Sequence, residues 1–290
     1  VHVVFGMVGL KTHCKAALVV RREHDGIRRY VHLGTGNYNP TTARMYTDLG
    51  LFTCRPEFGE DTTALFNLLT GYSQGHAWQR LLLAPQHMAD RVLALIDRER
   101  TNAKNGLPAR IIAKMNALVH PGVIKALYAA SQAGVRIDLI VRGICCLRPG
   151  LPGVSENIRV LSVVDKFLEH SRISYFQNND DPEVYLSSAD WMPRNFHRRV
   201  ETMWSIEDPR LRSRIVDGIL AVTLADNAKA RFLQGDGTYF RVPPPTTGEP
   251  LIRSQVEFQN MARELSTAEA IVPPPLTLTA RPTPSRSGTL

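Results

Sequence analysis

Short apolar blocks broken by turn-forming residues fill the first sixty positions, and blocks with helical spacing enter from Glu60 onward. The opening apolar run, Val3–Gly9, reads as a strand. His13–Arg22 contains Ala-Ala-Leu-Val-Val, which is strand-like in length and β-branched content. Glu23–Gly26 supplies a turn and Arg28–Gly34 returns, so a β-hairpin is predicted. Pro40–Tyr46 predicts a short helix or turn, and Glu60–Leu69 a helix with Leu65, Leu68 and Leu69 on one side.

Near Leu81 the pattern restarts. A strand at Leu81–Ala84 leads into a helix over Gln86–Lys104, stopped by Asn105-Gly106. A strand at Arg110–Val119, a helix at Pro121–Gln132 with proline in its first turn and Gly134 past its end, and a strand at Val135–Val141 make a βαβ unit. After the Gly/Pro-rich loop Arg148–Gly153 come strands at Arg159–Val164, Ile173–Gln177 and Val184–Ser187, and a long helix over Pro209–Phe232. From residue 243 prolines crowd together with Ser, Thr and Arg, so 243–290 is expected to be a disordered tail with one amphipathic helix near Gln255–Leu265. The expected organisation is an α/β domain over 1–80, a second over 81–242, and that tail. Because the chain opens at Val1 inside an apolar stretch, the first domain is expected to be truncated at its N-terminus.

Composition narrows the class. With 43% hydrophobic and 21% charged residues over 290 positions, the chain is an ordinary globular protein with room for a large core. No apolar run is long enough to span a bilayer and no charged-then-apolar leader is present, so a cytoplasmic protein is expected. Cys14, Cys54, Cys145 and Cys146 have neither zinc spacing nor disulfide density, which predicts reduced thiols. Lys and Arg number 35 against 27 acids, a net charge of +8 that suits an anionic partner.

The chemistry is carried by a weak internal repeat. His13-Cys14-Lys15 begins a strand whose return strand ends in Gly34-Thr35-Gly36-Asn37; His170-Ser171-Arg172 begins another, followed by Ser187-Ser188-Ala189-Asp190. Positions i and i+2 of a strand share a face, so His13 projects with Lys15 and His170 with Arg172. Each copy thus offers an imidazole beside a fixed cation. The small-residue turns let backbone N–H groups approach an anion, and Asn37 or Asp190 can orient an imidazole or a bound group. Two such half-sites facing one another suit in-line displacement at phosphorus, with an imidazole of ordinary pKa near ~6.5 as carrier. Further cations for phosphate are Arg142, at the C-terminal end of a strand, and Arg198-Arg199. His32 is a supporting candidate on the strand entering the glycine turn, and Tyr46 is either a packing aromatic or a ligand contact.

At these residues the chain resembles the polyphosphate kinase family. The segments are G-L-K-T-H-C-K (Gly9–Lys15), H-L-G-T-G-N-Y-N (His32–Asn39), T-A-R-M-Y-T-D (Thr42–Asp48), L-Y-A-A-S (Leu127–Ser131), L-I-V-R-G-I-C (Leu139–Cys145), F-L-E-H-S-R (Phe167–Arg172) and Y-L-S-S-A-D-W-M (Tyr185–Met192), in family order. The resemblance implies two phospholipase D-like α/β domains and reversible transfer of the ATP γ-phosphoryl group to polyphosphate through phosphohistidine. By the same resemblance His13 is the phosphorylated residue, Tyr46 lies at the ATP base, Arg142, His170 and Arg199 contact phosphates, and His170 is a general acid. It also implies Mg2+, with ligands in a region upstream of this segment, and ATP, ADP and polyphosphate as partners rather than nucleic acid. A homo-oligomer in the full-length protein and peripheral association with a membrane are further expectations of the resemblance. Two alternatives stand beside it. A phospholipase D-type phosphodiesterase usually keeps an acid five positions after the motif's base, where this chain has Val20 and Gln177. The other is a polyanion-binding module without catalysis.

Overall fold

The computed structural model describes residues 1–72, 75–241, 243, 248 and 250–268. In the first half, β1 (Lys11–Thr12) precedes a hairpin of β2 (Lys15–Glu23) and β3 (Gly26–Gly34), then β4 (Tyr46–Thr47), β5 (Gly50–Thr53) and α1 (Pro56–Leu69). The hairpin tip turns at Gly26, whose φ of +129° a side chain would disfavour. β2, β3 and β5 form a three-stranded antiparallel sheet, and α1, with proline at its first turn, packs Phe58 and Leu65 beneath it.

The second half contains β6 (Leu81–Ala84), α2 (Met88–Lys104), β7 (Arg110–Met115), α3 (Pro121–Gln132), β8 (Arg136–Val141), β9 (Ile158–Val163), β10 (Leu168–Glu169), β11 (Arg172–Phe176), β12 (Glu183–Ser187), α4 (Pro193–His197) and β13 (Arg199–Ser205). It ends with α5 (Pro209–Ser213), a π-helical stretch over Arg214–Leu220, α6 (Ala221–Leu224), β14 (Ala230–Leu233), β15 (Tyr239–Arg241) and α7 (Ser254–Ala268). The main sheet runs β1-β13-β12-β11-β7-β8-β9-β14-β15, with β6 pairing the remainder of the edge of β13 that β1 occupies. β7, β8 and β9 are parallel, as the βαβ pattern requires. This is the mixed α/β architecture expected.

One apolar cluster lies between α2, α3 and the sheet, around Leu95, Leu127, Leu139 and Phe176. The other joins the halves: Val31, Leu33 and Leu65 from the first pack with Leu83, Leu161, Val200 and Trp204 from the second. Each of these large side chains contributes roughly 1.5–3 kcal/mol by burial, so the halves are held together by a shared core.

Four expectations are corrected. Val3–Gly9 is not a strand: Val3, Phe5 and Val8 are exposed and the first pairing is the two-residue β1. β7 stops at Met115 because the Asn116 N–H leaves the ladder to donate to Asp190 at 2.7 Å. The long helix ends at Leu224, not Phe232. Asp226 accepts the N–H groups of Ala228, Lys229 and Ala230 and turns the chain into β14. The tail is ordered over 250–268, since the N-terminus of α7 is held by Asp226 through Ser254 N and Oγ. The helix expected near Gln255–Leu265 is thus present, while 244–247, 249 and 269–290 lie outside the described residues. No helix among the described residues is long and apolar enough to cross a membrane.

Candidate active site

Two parallel pairings of minimal length build the site. β1 lies beside β13 with Thr12 opposite Val200, and β10 lies beside β4 with Glu169 opposite Thr47. The next residue in each strand is therefore His13 opposite Glu201 and His170 opposite Asp48. The backbone N–H of His13 donates to Val200 O at 2.9 Å and that of His170 to Thr47 O at 3.1 Å. The imidazoles follow: His13 Nδ1 lies 2.8 Å from both Glu201 oxygens, and His170 Nδ1 lies 2.7 Å from Asp48 Oδ1. Each histidine is oriented by a carboxylate from the opposite half of the chain. A carboxylate at Nδ1 accepts a hydrogen bond from Nδ1–H, which favours the tautomer that leaves Nε2 with its lone pair.

The repeat is more regular here than in the sequence. Thr35 Oγ1 donates to Asp48 Oδ1 at 2.9 Å and Ser188 Oγ to Glu201 Oε2 at 2.5 Å, each hydroxyl 13 residues before its acid. Lys15 Nζ donates to His13 O, and Arg172 Nη1 to His170 O at 2.6 Å. Tyr46 and Arg199 also occupy equivalent places, two residues before Asp48 and Glu201. The Tyr46 ring lies 5.0 Å from the His170 ring and Arg199 Nη1 lies 4.0 Å from Glu201.

Beneath this layer buried charged groups pair with one another. Asp190 pairs with Arg172 at 3.0 Å and accepts from Asn116, whose Oδ1 accepts from Arg142 Nε at 3.0 Å. Buried Lys114 pairs with Glu169 at 3.0 Å and donates to Ser171 at 2.9 Å. Gln255 of α7 reaches the same Glu169 at 2.7 Å. Burial pushes Lys114 below its ordinary pKa although Glu169 opposes this. Burial lowers Lys15 to about 8 against the pull of Glu201. His170 is also lowered, by burial first, while its hydrogen bond to Asp48 opposes the shift. Cys14, raised by burial to about 11, is an unreactive thiol.

Tyr46, Arg142, His170 and Arg172 thus belong to one network around Asp48 and Asp190, and His13, Lys15 and Arg199 to another around Glu201, with Lys15 close enough to feel the charges of Arg172 and Asp48. Neither Asn37 nor Asp190 orients an imidazole: Asn37 is exposed and lines a cavity with Gly36 and Tyr46, and Asp190 pairs with Arg172. Asp48 and Glu201 perform that task. A detectable signal for them was the acid 13 residues past the turn hydroxyl in both copies. His32 Nδ1 lies 2.7 Å from the Tyr38 hydroxyl. It borders a cavity of about 290 Å³ with Gly34, Gly36, Tyr46 and Asp48. No cluster of three or more His, Cys, Asp or Glu among the described residues is arranged to hold a metal ion. The acids nearest the histidines are already committed to His, Lys or Arg, so the residues present do not fit a magnesium site.

Residues 1–75 match the polyphosphate kinase C-terminal domain 1 and residues 81–255 the polyphosphate kinase C-terminal domain 2. The chain belongs to the polyphosphate kinase family. A polyphosphate kinase of Synechocystis sp. is 61% identical over 244 residues, covering 84% of this chain and 33% of that protein. One of Halalkalibacterium halodurans is 52% identical over 270 residues, 93% of this chain and 38% of its own length. The crystal structure of polyphosphate kinase from Porphyromonas gingivalis superposes with a TM-score of 0.83 at 41% identity, covering 90% of this chain and 40% of that one. A phosphatidylserine synthase of Haemophilus influenzae, at 10% identity and a TM-score of 0.50, shares the fold over 83% of this chain and 68% of that one. The chain spans roughly a third of the length of the polyphosphate kinases it matches.

Proposed function

We propose that this chain carries the phosphoryl-transfer centre of a polyphosphate kinase, in which His13 takes the γ-phosphoryl group of ATP and passes it to the end of a polyphosphate chain. The observation that supports this best is the crossed pairing of His13 with Glu201 and His170 with Asp48. In the first step the lone pair of His13 Nε2 attacks the γ-phosphorus as the bond to the β,γ-bridging oxygen breaks, releasing ADP. In the second a terminal polyphosphate oxygen attacks the same phosphorus and the N–P bond breaks, restoring neutral His13. Both steps exchange one P–N bond and one P–O bond, so the sequence runs in either direction. His170 contacts the phosphates, and its role as acid toward the departing oxygen requires the imidazolium, which Asp48 and the bound phosphates favour against the burial that lowers its pKa. Lys15, Arg142, Arg172 and Arg199 stabilise charge on the phosphates, with Tyr46 at the nucleotide base. Magnesium, the ion the family resemblance implies, would supply charge neutralisation on the phosphates, and no step above passes through it.

The test is acid-labile labelling from γ-labelled ATP, with the chain joined to the upstream region that its relatives possess. Label is expected on wild type and absent from His13→Ala. Equal labelling of the two would overturn the reading. Release of an alcohol from a phosphodiester with no phosphoryl acceptor would favour a phosphodiesterase instead. Salt-dependent polyphosphate binding with no chemistry would favour a binding module.

A further inference from the structure

We propose that Asn195 is a positioning residue for the His13–Glu201 pair and makes the two half-sites of the repeat unequal. The inference rests on the phosphohistidine reading above. Glu201 is fully buried and takes three side-chain donors: His13 Nδ1 at 2.8 Å to both oxygens, Ser188 Oγ at 2.5 Å to Oε2, and Asn195 Nδ2 at 2.7 Å to Oε1. Its counterpart Asp48 has the histidine and the hydroxyl, and among the described residues no third side-chain donor. Its side chain is 25% exposed against 0% for Glu201. The third donor is an addition to the repeat on one side only.

The amide orientation follows from charge. An amide oxygen 2.7 Å from a carboxylate oxygen would be repelled, so the atom facing Glu201 is Nδ2. Asn195 Oδ1 is then buried without a partner. An unpaired buried carbonyl destabilises a fold, and a leucine of similar size would remove that penalty while keeping the packing. What leucine lacks is the donor. An asparagine here is a poor choice for the core and a good one for Glu201. The short helix α4 carries Asn195 and is itself tethered, because His197 Nε2 lies 3.3 Å from His120 Nε2 at the start of α3.

Pinned at both oxygens, Glu201 accepts the hydrogen bond of His13 Nδ1–H in one geometry and keeps Nε2 free for attack. The other ionisable groups around Glu201 are Lys15, Cys14 and Arg199, and none replaces the Asn195 donor at Oε1. Without Nδ2 the carboxylate can rotate, and the Nδ1–H tautomer of His13 loses its advantage.

The experiment compares wild type with Asn195→Leu and Asn195→Ala. In Asn195→Leu, 15N spectra of the His13 ring should show a smaller Nδ1–H tautomer fraction, with the thermal midpoint unchanged or raised. The rate of phosphohistidine formation should fall on the order of tenfold, the equivalent of one charge-assisted hydrogen bond, with KM for ATP unchanged. If the leucine variant does not fold, the alanine variant carries the same tautomer readout. Unchanged His13 tautomers and an unchanged labelling rate would overturn the inference while leaving the phosphohistidine reading intact. Failure of wild type to take label would overturn both.

Discussion

Gly36 has no room for a side chain. A Cβ placed there would lie 1.9 Å from Asp48 Oδ2, so Gly36→Ala must push away the carboxylate that orients His170. A displacement of this size at a reacting group is expected to lower kcat by about 10²-fold, with folding intact as judged by circular dichroism. Lys15 offers a prediction with a pH. Burial puts its pKa near about 8, so its positive charge is present below that value and lost as pH rises through it. Tripolyphosphate binding, followed calorimetrically from pH 7 to 9.5, should therefore weaken across about pH 8. Lys15→Arg should remove that step, since a guanidinium stays charged throughout.

At the scale of elements, α7 clamps the strand that presents His170. Gln255 bonds both backbone polar groups of Phe167 at 2.8 Å and Glu169 at 2.7 Å, while Arg253 pairs with buried Asp165 at 2.6 Å. Gln255→Ala leaves several buried groups unpaired and should lower stability by roughly 2 kcal/mol in denaturant unfolding, with faster amide exchange in 165–170. The amphipathic spacing of Gln255–Leu265 made this helix legible, but the Pro-rich composition after residue 242 concealed its docking, because composition describes a segment's average and not the surface that one stretch of it finds. The helix predicted at Pro121–Gln132 was legible because its proline start and its stop at Gly134, with φ of +95°, are local signals. Arg110–Val119 was overextended because the end of β7 is set by a side chain 74 residues away.

For the whole molecule, the crossed pairs mean that neither half owns a complete site. His13 and Glu201 are separated by 188 residues, and His170 and Asp48 by 122. Polypeptides corresponding to 1–72 joined to the upstream region of its relatives, and to 75–290, produced separately, should each fail to take label. Produced together they should regain it, because Val31, Leu33 and Leu65 complete a core with Leu83 and Trp204. Native gels and labelling of the mixed pair check this expectation, and a 75–290 chain active alone would refute it.

The sequence by itself determined the hairpin, the βαβ unit and the twice-occurring histidine-and-cation pattern, each specified by neighbours a few residues apart. It also carried the family's segments, and with them His13, His170 and the phosphate-binding arginines as candidates. Which carboxylate serves which histidine was decided by tertiary structure. β1 and β4 are two residues long, too short to show in any periodicity, and they acquire partners only when the shared core brings β13 and β10 alongside. Glu201 and Asp48 were therefore ordinary acids in the sequence, and only folding placed each against the other half's imidazole.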